Sequence, residues 1–116
     1  MGEGYQRLAA WNRAMELVEE VYELAARLPG LDRYELASQM RRAAVSVPSN
    51  LAEGYGRAHR TEYAHHVGIA NGSLYELETQ LLIVVEAGYL ERDATAALLR
   101  ALEEPAKPLQ VHPASS

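Results

Sequence analysis

The sequence predicts an all-α protein, an antiparallel up-and-down four-helix bundle with a proline-kinked second helix. Three observations carry this. Apolar residues recur at helical spacing in four segments, with no run of strand alternation competing with them. Gly and Pro fall between the segments. The three connections are short, and short links between helices of bundle length imply antiparallel neighbours.

The first segment runs from about Leu8 to Leu28. Leu8, Trp11, Met15, Val18 and Tyr22 repeat at helical spacing and are expected to face the core, while Glu16, Glu19, Glu20 and Glu23 form an acidic outer face. Pro29-Gly30 stops it. The second starts near Asp32, a good N-cap residue type, and ends at about Tyr55 between Gly54 and Gly56. Pro48 sits in its middle, where it removes the hydrogen bond to the Ala44 carbonyl and costs about 3 kcal/mol. Leu36, Met40, Val47 and Leu51 nevertheless keep one rotational phase across it, which a loop would reset, so one kinked helix of about 25 residues is expected.

The third segment runs from about Thr61, the expected N-cap, to Ala87. Tyr63, Val67, Ala70, Leu74, Leu77 and Leu81 lie within about 40° of one line, the cleanest amphipathic signal in the chain. Gly88 closes it. A shorter fourth helix opens at Arg92 or Asp93 and runs to about Glu104, before Pro105 and Pro108. The bundle is therefore expected over residues 5–104, with a mobile tail at 105–116.

A chain of 116 residues is one domain by length. It has no apolar run long enough for a membrane span and no signal-peptide layout at its N-terminus, so cytoplasmic residence is expected. The absence of cysteine removes disulfides, thiol catalysis and cysteine-based metal sites. A net charge of −5 argues against bulk electrostatic coating of nucleic acid. The charge is unevenly spread. Five Arg against three acidic residues give residues 32–60 a charge of +2, whereas six basic and thirteen acidic residues give the remainder −7. An anionic partner such as RNA would therefore meet Arg41, Arg42, Arg57 or Arg60.

The second helix also carries a polar stripe. At 100° per residue, Gln39, Arg42, Ser46, Asn50, Glu53 and Arg57 fall within roughly 40° of one line. A solvated face is the plain reading, helped by a Glu53–Arg57 i,i+4 pair. Solvated faces favour long helix formers, however, and Ser and Asn are poor ones. Short polar groups between charged ones fit a hydrogen-bonded network at a helix or subunit interface, and Glu78 on the third helix is expected to meet an Arg of the second.

Catalytic and metal readings have less behind them. Glu76 and Glu78 point about 160° apart on a helix and cannot share a substrate. His59, Glu62 and His66 share a helix face and, with a facing carboxylate, could hold zinc, though exposed polar residues at a helix start explain them as well. His65 and His112 show no partner pattern. Gly54-Tyr55-Gly56-Arg57 follows a helix with no strand before it, the wrong setting for a phosphate loop. Tyr22, Tyr63 and Tyr75 could stack on bases, but with no Phe in the chain they are expected to supply core volume. No catalytic, cofactor or metal residues are assigned.

Several stretches together resemble a bacterial family. Trp11 with the Ala-rich first helix, Leu36-Ala37-Ser38-Gln39-Met40-Arg41-Arg42-Ala43-Ala44, and Ser46-Val47-Pro48-Ser49-Asn50-Leu51-Ala52-Glu53-Gly54 with Arg57 are similar to the 23S rRNA intervening-sequence proteins. So are Ala70-Asn71-Gly72-Ser73-Leu74-Tyr75-Glu76-Leu77-Glu78-Thr79 and Ala87-Gly88-Tyr89-Leu90. The resemblance spans roughly residues 5–104. It implies a four-helix bundle that in some members forms a ring of five, with no established catalysis. The expected function is a homo-oligomeric binding or scaffolding module for a protein or ribonucleoprotein, with a metal-dependent enzyme whose site lies in the bundle as the weaker alternative. A related group, accessory proteins of diversity-generating retroelements, binds a reverse transcriptase and nucleic acid on a strongly basic pentamer; the acidic balance here departs from that pattern.

Overall fold

The computed structural model describes residues 4–103, apart from the side chains of Asp32 and Glu103. The expected tail at 105–116, His112 with it, lies outside the described residues. Among those described there are four α-helices and no strand: α1 (Ala9–Ala25), α2 (Tyr34–Tyr55), α3 (Arg60–Glu86) and α4 (Arg92–Glu103). Two 3-10 turns, Tyr5–Arg7 and Leu31–Arg33, lead into α1 and α2.

The ends of the helices differ from the expected caps. No side-chain hydrogen bond caps α1, whose first turn is held by Asn12 Nδ2 donating to the Leu8 and Gln6 carbonyls, both at 3.0 Å. α1 stops at Ala25, where Arg27 N–H to Leu24 O and Leu28 N–H to Ala25 O tighten the chain before Pro29. Gly30 follows with φ 80°, a conformation open to glycine at little cost. Asp32 is not the cap of α2: the 3-10 turn occupies that position, and Arg33 precedes the first helical residue. Thr61 is likewise inside α3, whose first turn closes on the backbone, with the His59 carbonyl accepting from the Glu62 and Tyr63 N–H groups at 3.1 Å. α3 ends in a Schellman motif, Tyr89 N–H to Val84 O at 3.0 Å and Gly88 N–H to Val85 O at 3.1 Å, with Gly88 at φ 73°.

α2 runs through Pro48 without a break. Pro48 is itself buried, and Met40, Val47 and Leu51 stay buried on either side of it, as the phase of the apolar pattern requires. Helix α2 packs against both α1 and α3, and α4 packs against α3 and α1; α1 and α3 are not adjacent.

The core has two parts. Leu17, Val21 and Leu24 of α1, Met40, Ala43 and Ala44 of α2, Leu77, Leu81 and Val84 of α3, and Leu98 of α4 form the first. The second is built by three helices only, from Ala14, Val47, Leu51, Val67 and Ala70, because α4 is about 18 Å long against about 40 Å for α3 and stops short of it. The stripe foreseen on α3 is the buried one, with Tyr63 and Leu74 at its margin. The stripe foreseen on α1 is so only in part: Trp11 and Val18 are partly buried against the core. Met15 and Tyr22 are 42% and 46% exposed, and the core side is Ala14, Leu17, Val21, Leu24 and Ala25. Both arcs of α1 are apolar, so periodicity does not choose between them, and the core takes the arc with small alanines where a neighbour comes close.

Candidate functional site

Polar side chains converge where α2 meets α3. Ser46 and Asn50 lie one turn apart on α2, and His66 and Ser73 lie opposite them on α3. Asn50 Nδ2 donates to the Ser46 carbonyl at 2.9 Å and to Ser46 Oγ at 3.0 Å. Both amide hydrogens are thereby used, which leaves Oδ1 as the acceptor in the 3.1 Å contact with His66 Nδ1. In that contact His66 Nδ1–H is the donor. Ser73 Oγ donates to Ser46 Oγ at 2.8 Å and is buried; Ser46, Asn50 and His66 are half-buried.

Gly54 makes this seam possible. A Cβ at Gly54 would sit 2.8 Å from the His66 Cβ and 3.4 Å from the Tyr63 carbonyl oxygen. The bare backbone therefore lets α3 approach closely enough for the imidazole to reach Asn50. Farther along, Gln80 is buried, its Nε2 donating to Glu76 Oε2 at 3.2 Å while its Oε1 has no hydrogen-bond partner among the described residues. His66, Ser73 and Gln80 recur every seven residues beside the apolar line of α3. That recurrence is the sequence signal of this polar line.

The predicted stripe divides in two. Ser46 and Asn50 turn into the seam. Gln39 is exposed; Arg42 Nη1 donates to Ser38 Oγ at 3.0 Å on the exposed surface; and Glu53 pairs with Arg57 at 2.7 Å, also exposed. An exposed i,i+4 pair contributes about 0.3–0.5 kcal/mol. Glu53→Ala is therefore expected to change unfolding free energy by no more than about 0.5 kcal/mol in urea titration. Glu78 is half-buried and, among the described residues, makes no ion pair with an Arg of α2.

The arginines foreseen as an RNA contact are not gathered into one patch. Arg41 is half-buried with its guanidinium 5.9 Å from the Tyr22 ring centre, Arg57 is held by Glu53, and Arg60 begins α3. Arg42 lies near the middle of α2 and Arg57 beyond its C-terminal end, more than three turns away. His66 is committed to Asn50, and no group of three His, Cys, Asp or Glu side chains among the described residues is placed to hold a metal ion. An open cleft of about 330 Å³ lies over Arg57, Thr61, Glu62, His65 and His66. Tyr63 packs on the core, but Tyr22 and Tyr75 are exposed instead of supplying core volume, because each lies on a helix arc that the other three helices do not cover.

Apolar surface is open elsewhere on the molecule. A groove of about 310 Å³ between α1 and α2 is lined by Trp11, Met15, Val18, Val45 and Pro48, with Tyr5 set edge-on to Trp11 at 5.3 Å between ring centres. On α3, Ile69, Tyr75, Leu82 and Ile83 stand exposed on the half of the helix turned from the core. No helix among the described residues is long and apolar enough to cross a membrane.

Comparison with curated proteins returned no match. The model of one family, 23S rRNA-intervening sequence protein, matches residues 6–110, a span that includes all four helices and the α2–α3 seam. The chain belongs to the 23S rRNA-intervening sequence protein family.

Proposed function

We propose that the protein is a non-catalytic, homo-oligomeric module of the cytoplasm. In this reading each chain is an antiparallel up-and-down bundle bent at Pro48, five chains close into a ring, and the ring carries a protein or ribonucleoprotein partner. The observation that supports it is the open apolar surface: Met15, Tyr22, Val45, Ile69, Leu82 and Ile83 are exposed on helices that already have a complete core. Exposed apolar patches of this kind mark interaction surfaces. Ser46, Asn50, His66 and Ser73 are hydrogen-bonded to one another, an arrangement that suits a scaffold.

A nucleic-acid-binding accessory role for a reverse transcriptase ranks second. Its support is the Arg content of α2, and its weakness is the distance separating Arg41 and Arg42 from Arg57 and Arg60. Light scattering or native mass measurement at tens of micromolar tests the first reading. A mass near five times the 12.8 kDa chain is expected, and a chain that stays at 12.8 kDa contradicts it.

A further inference from the structure

The second part of the core is open on the side that α4 does not reach. α1 and α3 are not adjacent, and α4 fills the gap between them only over the first part. Past the end of α4 the gap is a cleft of about 510 Å³, lined by Ala10, Ala14 and Leu17 of α1, Val47 of α2, Leu74 of α3 and Leu102 of α4. Arg13 and Glu20 are the charged residues that line it. The cleft is thus an apolar continuation of the position that α4 occupies.

The chain leaves α4 at the mouth of this cleft, since Ala101 and Leu102 belong to its lining. Pro105-Ala106-Lys107-Pro108-Leu109-Gln110-Val111 follows, outside the described residues. A proline cannot extend a helix, and each one drives the residue before it out of the α region, so this sequence favours an extended path over further turns of α4. At about 3.1 Å per residue along such a path, Leu109 reaches up to about 22 Å from Leu102. Leu17 and Ala9, which mark the length of the cleft along α1, are eight positions apart, about 12 Å at helical rise. The segment is long enough to span the cleft.

Its chemistry matches as well. Apart from Lys107 and Gln110, residues 105–111 are apolar, and Lys107 is their only charge. α1 carries Glu16, Glu19, Glu20 and Glu23 against Arg13, the opposite sign. The family model also runs to residue 110, seven positions past the end of α4, so it takes in most of this segment together with the bundle.

We infer that residues 105–111 lie back along the cleft of their own chain, with Leu109 against its Ala9–Ala10 end, and supply the side that α4 leaves open. The tether selects this occupant. A segment that starts at the mouth of the cleft has an effective concentration on the order of millimolar there, which a free partner has to exceed. The contact is made within one chain and does not depend on the oligomeric state.

The chain has no cysteine, so a disulfide can be placed without competition. The test uses two double variants of the full chain: Ala9→Cys with Leu109→Cys and, as control, Ile83→Cys with Leu109→Cys. Ala9 lines the cleft and Ile83 stands on the outer side of α3, and both are exposed. Under one mild oxidant, read on a denaturing gel without reductant, the 9–109 pair is expected to close within a single chain, at a rate independent of protein concentration and about tenfold or more above that of the 83–109 pair. Equal rates for the two pairs would overturn the contact. A 9–109 disulfide that joins two chains, faster at higher concentration, would also overturn it and give the cleft to the segment of a second copy. A second measurement needs no cross-link: Leu109→Asp is expected to lower the urea midpoint of the full chain, and a midpoint equal to that of the wild type would count against the contact.

Discussion

Gly54→Ala is expected to destabilise the fold by about 1–3 kcal/mol, against the gain that Gly to Ala normally brings inside a helix. The added methyl would meet the His66 Cβ at 2.8 Å and the Tyr63 carbonyl oxygen at 3.4 Å. Neither can swing aside as the end of a flexible side chain can, so α2 and α3 must separate at that crossing. Separation also stretches the His66–Asn50 contact, now 3.1 Å. Gly56→Ala, two residues on, is the control. Its new Cβ would find the Glu53 and Ala52 carbonyls at 3.7 and 3.9 Å, ordinary contact distances, and should shift stability by no more than about 0.5 kcal/mol. Chemical denaturation of the two variants separates the close-approach requirement from any general intolerance of change at the end of α2.

Asn50→Ala is expected to cost a similar amount, about 1–3 kcal/mol, for a different reason. It removes the acceptor of the His66 Nδ1 proton and the donor to both Ser46 oxygens in one step. Ser46 retains only Ser73 from the network, and His66 is left half-buried without its partner across the seam. A midpoint shift in urea at constant slope would identify this as lost native-state stability and not a change in the compactness of the unfolded chain. Glu53, only three positions away on the same helix, should stay nearly silent because its single partner is an exposed Arg. The contrast between Asn50 and Glu53 therefore separates the packed part of the stripe from its solvated part.

How far the sequence carried these expectations differs from helix to helix. α3 was legible because its apolar line is single and broad, and its polar residues lie off that line. α2 was legible through Pro48 because rotational phase is preserved across a proline that the helix tolerates. α1 is ambiguous in sequence because it has two apolar arcs. The bulky one, with Met15 and Tyr22, has the pattern of a core face; the arc with Ala14 and Ala25 is the buried one. Asp32 and Thr61 have the residue types of helix starts, but 3-10 and backbone contacts close those turns instead.

The site was half legible. Ser46 and Asn50 stood out as short polar residues on a helix face, but their partners across the seam did not. His66 looked like a neighbour of His59 and Glu62 by spacing, and its actual partner lies sixteen residues away on another helix. Such a pairing depends on how closely two helices approach, and here a glycine sets that distance. Glu78 was expected to pair with an Arg of α2 and does not among the described residues, because it lies on the side of α3 away from the line of His66 and Ser73 that faces α2.

The central claim is that Asn50 and His66 act as one coupled pair holding α2 in register with α3. A double-mutant cycle of Asn50→Ala, His66→Ala and the combined variant, followed by urea unfolding, measures that coupling directly. Residues joined in one hydrogen-bonded network give an interaction energy of about 0.5–3 kcal/mol, and the double variant should accordingly be less destabilised than the sum of the singles. Strict additivity, a coupling indistinguishable from zero, would contradict the account and leave Asn50 and His66 as independent surface residues.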